Sequence, residues 1–138
     1  MNIKILSTVA LIAFSFVSSY AADAGDQKQF EKSMKELGRI TKGFRDNTQA
    51  KNAAAVEKDS ARVAEIYQQM AAFWKGRHVD DATKWSEQSA AAATATAAAA
   101  KAGDWDKVKS SWGTVNKSCK DCHDAHRQKL PEGGYKIK

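Results

Sequence analysis

The apolar residues of the chain recur in steps of three and four. Phe30, Met34, Leu37, Thr41 and Phe44 follow alternating four- and three-residue steps, which places them on one face of a helix over about residues 27–45. Asp46-Asn47-Thr48 then supplies turn and capping chemistry. A second helix, over about residues 52–74, carries Val56, Val63, Ile66, Met70, Phe73 and Trp74 on its apolar side, and Lys75-Gly76-Arg77 closes it with a basic last turn around a glycine. Asp80 or Asp81 is placed to cap a third helix, which has Trp85 near its start and an alanine-rich run over residues 90–100 broken by Thr94 and Thr96. After Gly103-Asp104 a fourth helix spans about residues 105–129, until Leu130-Pro131 stops it. Its apolar series is Trp105, Val108, Trp112, Val115, Cys119 and Cys122, so both cysteines lie on the seam that packs this helix into the core.

Strong helix formers dominate everything before Pro131, the sole proline, which leaves little room for strands. The expected fold is therefore all-α, an antiparallel up-down-up-down four-helix bundle, a fold that houses cofactors between facing helices. The alanine-rich run has two readings. It either reflects helix propensity alone or forms a smooth surface that lets a neighbouring helix or a flat ligand come close.

The first residues read as a leader rather than as part of this bundle. Lys4 precedes an apolar run over residues 5–17 that is short for a membrane span, and Ser19-Tyr20-Ala21 offers small residues at a cleavage site. A signal peptide over residues 1–21 leaves a single domain over residues 22–138, exported to a compartment such as the periplasm, with no membrane segment after cleavage. The full chain carries a formal charge of +6, and loss of Lys4 leaves 21 basic against 16 acidic residues. These charges are interspersed rather than gathered in a basic stripe with interleaved aromatics, which argues against nucleic acid as a partner. A modest positive balance suits encounter with an acidic protein surface.

The chemistry concentrates in SCKDCHDAHR, residues 118–127, which hold both cysteines and two of the three histidines. Cys119, Cys122 and His123 form the C-x-x-C-H pattern of covalent haem attachment. On a helix the two thiols project from one side, a turn apart, and can form thioethers with the two vinyl groups of one porphyrin. His123 stands on nearly the same face and becomes the proximal iron ligand. Two other readings need weighing: an exported disulfide or redox dithiol, and a zinc site drawing on His126 as well. The dithiol lacks the strand-then-helix context of thioredoxin-like motifs, and the zinc site would crowd four ligands into two helical turns. His78 lies between the second and third helices and reads as a solvated loop residue.

A bundle with one such motif on its last helix resembles the class II cytochromes c, the group of cytochrome c′ and its low-spin relatives. The resemblance rests on C-x-x-C-H-x-x-x-R, ending at Arg127, and on Met34-Lys35-Glu36-Leu37-Gly38-Arg39 in the first helix. It implies one covalent haem c per chain and no catalytic residues. A methionine of the first helix binds the iron in low-spin members and makes them electron carriers that serve redox partner proteins; in cytochrome c′ an apolar residue covers an open iron that takes up nitric oxide or carbon monoxide. Met34 fits the first pattern, with Phe30 the covering residue in the second. Met34 as plain core filling is the structural alternative. Arg127 is placed to pair with a haem propionate, or is an ordinary exposed arginine. The resemblance also implies homodimers through the first two helices in many members. His126 stands where the group usually has an aromatic residue, and the tail PEGGYKIK runs beyond the usual end.

Overall fold

The computed structural model describes residues 16–138, with side chains from Asp26 onward. Most of the expected leader, residues 1–21, lies outside the described residues. Four helices follow one another, α1 (Phe16–Gln49), α2 (Ala53–Gly76), α3 (Asp80–Ala102) and α4 (Trp105–His126), and a hairpin of β1 (Arg127–Lys129) and β2 (Tyr135–Ile137) ends the chain. Among the described residues no helix is long and apolar enough to cross a membrane.

Local chemistry explains where the helices stop. Asn52 caps α2 by accepting from the Ala55 amide at 3.2 Å, and Asp104 caps α4 by accepting from that of Lys107 at 2.9 Å. Gly103 ends α3 in the left-handed conformation, φ 72°, where a residue without Cβ is unstrained. Three boundaries differ from the sequence reading. The expected turn at Asp46-Asn47-Thr48 is helical, because Thr48 Oγ1 donates to the Phe44 carbonyl at 2.8 Å and Asn47 reaches Asp59 of α2 at 3.3 Å. The second helix does close at Lys75-Gly76-Arg77, with Gly76 its last helical residue and Lys75 in its last turn, but the left-handed position belongs to His78, exposed, with φ 58°, and not to the glycine. Val79 rather than an aspartate occupies the N-cap of α3, while Asp80 and Asp81 sit in the first turn, where their charge faces the helix N-terminus.

The tail departs from the all-helical expectation. The fourth helix ends at His126 instead of continuing to residue 129, because Arg127 turns to extended backbone, φ −110° and ψ 127°. Arg127 pairs with Ile137 and Lys129 with Tyr135 in an antiparallel ladder. Gly133 and Gly134, φ 96° and 81°, make the bend possible.

The core is built mainly by α2, α3 and α4. Val56, Val63, Ile66 and Val108 are fully buried, and the run on α3 contributes small buried side chains at Ala90, Ala93, Ala99 and Ala100. Their size lets α3 pack along both α2 and α4. Thr96 Oγ1, buried in the second of these interfaces, donates to Ser111 Oγ at 2.8 Å. Packing of α1 is chiefly on α2, through Phe30 stacked on Phe73 at 4.5 Å between ring centroids and through a two-point ion pair from Arg62 to Glu36 at 2.8 and 2.9 Å. Helices α1 and α4 meet where Phe44 stacks on Trp112, centroids 3.6 Å apart. Toward the other end of the pair, the space between them is a groove.

Candidate functional site

This groove has a volume of about 740 Å³, within the roughly 300–1,000 Å³ typical of sites for cofactor-sized ligands. Phe30, Met34 and Gly38 of α1 line it, as do Tyr67 and Trp74 of α2 and Cys119, Cys122 and His123 of α4. The hairpin closes one rim with Tyr135, Lys136 and Ile137. A Cβ built on Gly38 would meet nothing within 4 Å, so the wall one turn after Met34 is open.

The α4 wall carries the motif. The apolar seam buries Val108, Trp112 and Val115 completely or nearly so, and at Cys119 and Cys122 it passes from core to groove, leaving both residues half-buried. Both are free thiols. Burial raises the pKa of each, that of Cys122 to about 11 with the neighbouring Cys119 and Asp81 adding to the effect. His123 has its pKa lowered, first by burial and then by the positive charge of Arg127. A neutral imidazole with a free nitrogen lone pair is the form that binds a metal. On the solvent face Lys117 with Asp121 and Lys120 with Asp124 form ion pairs one turn apart, which support the helix under the motif.

Met34 lies at the edge of the buried face of α1 rather than at its centre. The buried seam of this helix is Phe30, Ser33, Leu37, Ile40 and Phe44; Thr41 is exposed, and Ile40 takes the place expected for it. Met34 is half-buried and turns, with Gly38 and Thr41, toward the groove that Cys119, Cys122 and His123 line from α4.

The remaining expected residues have other engagements. Arg127 lines the groove rim and lays its guanidinium over the Tyr135 ring, 3.9 Å from the centroid. His126 Nε2 lies 2.9 Å from Asp81 Oδ1, and its ring packs against Trp74 and Trp85 at 5.3 and 6.0 Å between centroids. The imidazole therefore ties the end of α4 to α3 and α2, filling with a ring the position where the resemblance leads one to expect an aromatic.

One residue at the site escaped the sequence reading. Tyr67 is 6% exposed, and its hydroxyl lies 2.8 Å from Cys119 Sγ. It follows Val63 by four residues and precedes Met70 by three, so the helical spacing that marked those two as core marks it too. Nothing in that spacing says that its polar end meets a cysteine 52 residues away.

The donor set suits a covalently held haem. Two free thiols and one imidazole share a wall of a largely apolar groove of cofactor-sized volume, and Met34 lines that groove from α1. Among the described residues no three His, Cys, Asp or Glu side chains converge as a group able to hold a bare metal ion, which removes the geometric support for a zinc site.

Comparison with known proteins agrees with this arrangement. A family model described as Cytochrome C' matches residues 21–127, ending where the hairpin begins. A cytochrome c' from Alcaligenes xylosoxydans xylosoxydans is 57% identical over 30 residues, which make up 22% of this chain and 24% of that protein. The chain thus spans about a quarter of the length of the curated relative it matches. No solved structure matches it.

Proposed function

Since this chain belongs to the cytochrome c′ family, whose cofactor is a covalent haem c, we propose that it is an exported electron carrier in which His123 and Met34 would hold the iron. Haem c supplies one-electron exchange between ferric and ferrous iron. The protein contributes the rest. Cys119 and Cys122 would tether the ring to α4, and His123 would present to it a neutral nitrogen held by the same helix. Phe30, Tyr67 and Trp74 give the groove an apolar lining that would limit the access of water to a bound haem. Met34 presents a thioether, a ligand that favours the reduced state and raises the potential. The leader-like pattern of residues 1–21 supports export to the periplasm, and the positive balance of the chain supports an acidic redox partner.

The observation that carries this reading is the position of Met34. Met34 is half-buried at the edge of the core and, beside Leu37, lines the groove that Cys119, Cys122 and His123 line from α4. Met34→Leu tests the assignment, because it keeps the apolar volume at a packing cost of about 1.5 kcal/mol or less while removing the sulfur. The wild-type ferrous protein is expected to be six-coordinate and low-spin and to bind carbon monoxide slowly. Met34→Leu is expected to become five-coordinate and high-spin and to bind it fast. If wild type already shows the high-spin spectrum and rapid binding, and the variant matches it, Met34 is not a ligand and the gas-binding mode of the family applies instead.

A further inference from the structure

Tyr67 is a polar side chain for which the bundle has no packing need. It stands on α2 in the buried series Val63, Tyr67, Met70, Trp74, where a phenylalanine would fill the same space. A buried phenol without a partner costs free energy, so a tyrosine in such a place is expected to use its hydroxyl. Here the hydroxyl meets Cys119 Sγ at 2.8 Å, across the interval from α2 to α4. Tyr67 also lines both the groove and a small pocket of about 20 Å³ behind it, so its ring forms part of the floor between them.

We propose that Tyr67 is a positioning residue for the haem: its hydroxyl donates a hydrogen bond to the Cys119 sulfur, and the bond persists once that sulfur is a thioether. Before attachment either atom can be the donor. Afterwards the choice disappears, because a thioether has no proton and its sulfur only accepts. The phenol remains able to donate throughout, since burial raises its pKa above the ordinary tyrosine value; the further push from Cys119 acts only while that sulfur is a thiol.

Two consequences follow from one bond. It holds the Cys119 side chain in a single orientation and so fixes the edge of the ring tethered there. It also withdraws electron density from a sulfur bonded to the porphyrin periphery, which favours ferrous over ferric iron; hydrogen bonding outside the ligand sphere is one of the means by which a protein tunes a haem. The inference rests on haem attachment at Cys119 and is indifferent to whether Met34 binds the iron.

Tyr67→Phe in the haem-loaded protein is the test, because it removes one oxygen and keeps the ring. Covalent haem content and far-ultraviolet circular dichroism are expected to match wild type, while the reduction potential falls. In wild type the thioether C–S stretching band in the resonance Raman spectrum is expected to shift on transfer to D2O, and in Tyr67→Phe that shift disappears. A purely structural tyrosine would move neither readout, so a wild-type potential together with an unchanged D2O response overturns the proposal. If Tyr67→Phe matures too poorly to measure, 3-fluorotyrosine at position 67 replaces it. Its more acidic phenol donates more strongly and is expected to raise the potential and displace the same band, and absence of both changes overturns the proposal equally. Loss of covalent haem from the unmodified protein would instead refute attachment, a distinct result.

Discussion

Cys119, Cys122 and His123 owe their joint position to the helix that carries them. Three- and four-residue steps put them on one side of α4, and burial keeps the thiols protonated and the imidazole neutral before attachment. The proposed function gives each a separate role, so the variants should separate too. Replacing both cysteines by alanine is expected to abolish colour that survives acid and organic solvent, measured as absorbance left with the protein after extraction. His123→Ala keeps both tethers, and is expected to retain haem through that extraction with a changed ferric and ferrous spectrum and lower stability. An unchanged spectrum in His123→Ala would mean that another group holds the iron. His126 is a poor substitute, since it is engaged with Asp81 and packed against two tryptophan rings.

At the scale of the elements, the caps decide how α3 passes its direction to α4. Gly103 carries φ 72°, and its amide and that of Asp104 close on the carbonyls of Ala100 and Ala99 at 3.0 and 2.9 Å. Gly103→Ala would put a Cβ into a left-handed conformation, at a cost of about 1–2 kcal/mol. The space around the new methyl is open, so strain alone is expected and no clash. Denaturant unfolding of haem-loaded protein should show a midpoint lowered by that cost divided by the slope m, with the slope unchanged. The hairpin was the least legible element. Pro131 stops no helix here, because the chain has already turned at Arg127, where a strand forms only because Tyr135–Ile137 returns alongside it. Three-residue strands have no periodicity to read, and their pairing depends on a bend at Gly133-Gly134 that in sequence looks like an ordinary tail.

The whole molecule is a bundle with one side left open. Helix α3 is gripped by two neighbours, whereas α1 packs mainly on α2 and touches α4 through the Phe44 and Trp112 stack. A flat ring in the groove would supply the contacts that α1 lacks there, and anything that binds only the folded state stabilises it. In protein without haem, made with Cys119→Ala and Cys122→Ala, amide exchange is expected to be faster in residues 30–40 of α1 than in the buried stretches of α2 and α3. Haem-loaded wild type should narrow that gap. Equal protection of α1 with and without haem would mean that α2 alone suffices to hold it.

Composition and local pattern determined the helices and the attachment motif by themselves. Helix propensity and three-and-four spacing act within a few residues, and the five residues from Cys119 to His123 carry their chemistry on a single turn and a half. The tertiary structure decided which face of α1 meets the core. Periodicity alone put Met34, Leu37 and Thr41 on one stripe; packing against α2 centres the buried face nearer Ile40, leaving Thr41 exposed and Met34 half-buried at the groove that Leu37 also lines. It likewise decided the meeting of Tyr67 with Cys119 and of His126 with Asp81. Such contacts join residues 45 or more positions apart, and they depend on the relative placement of whole helices, which no local pattern encodes.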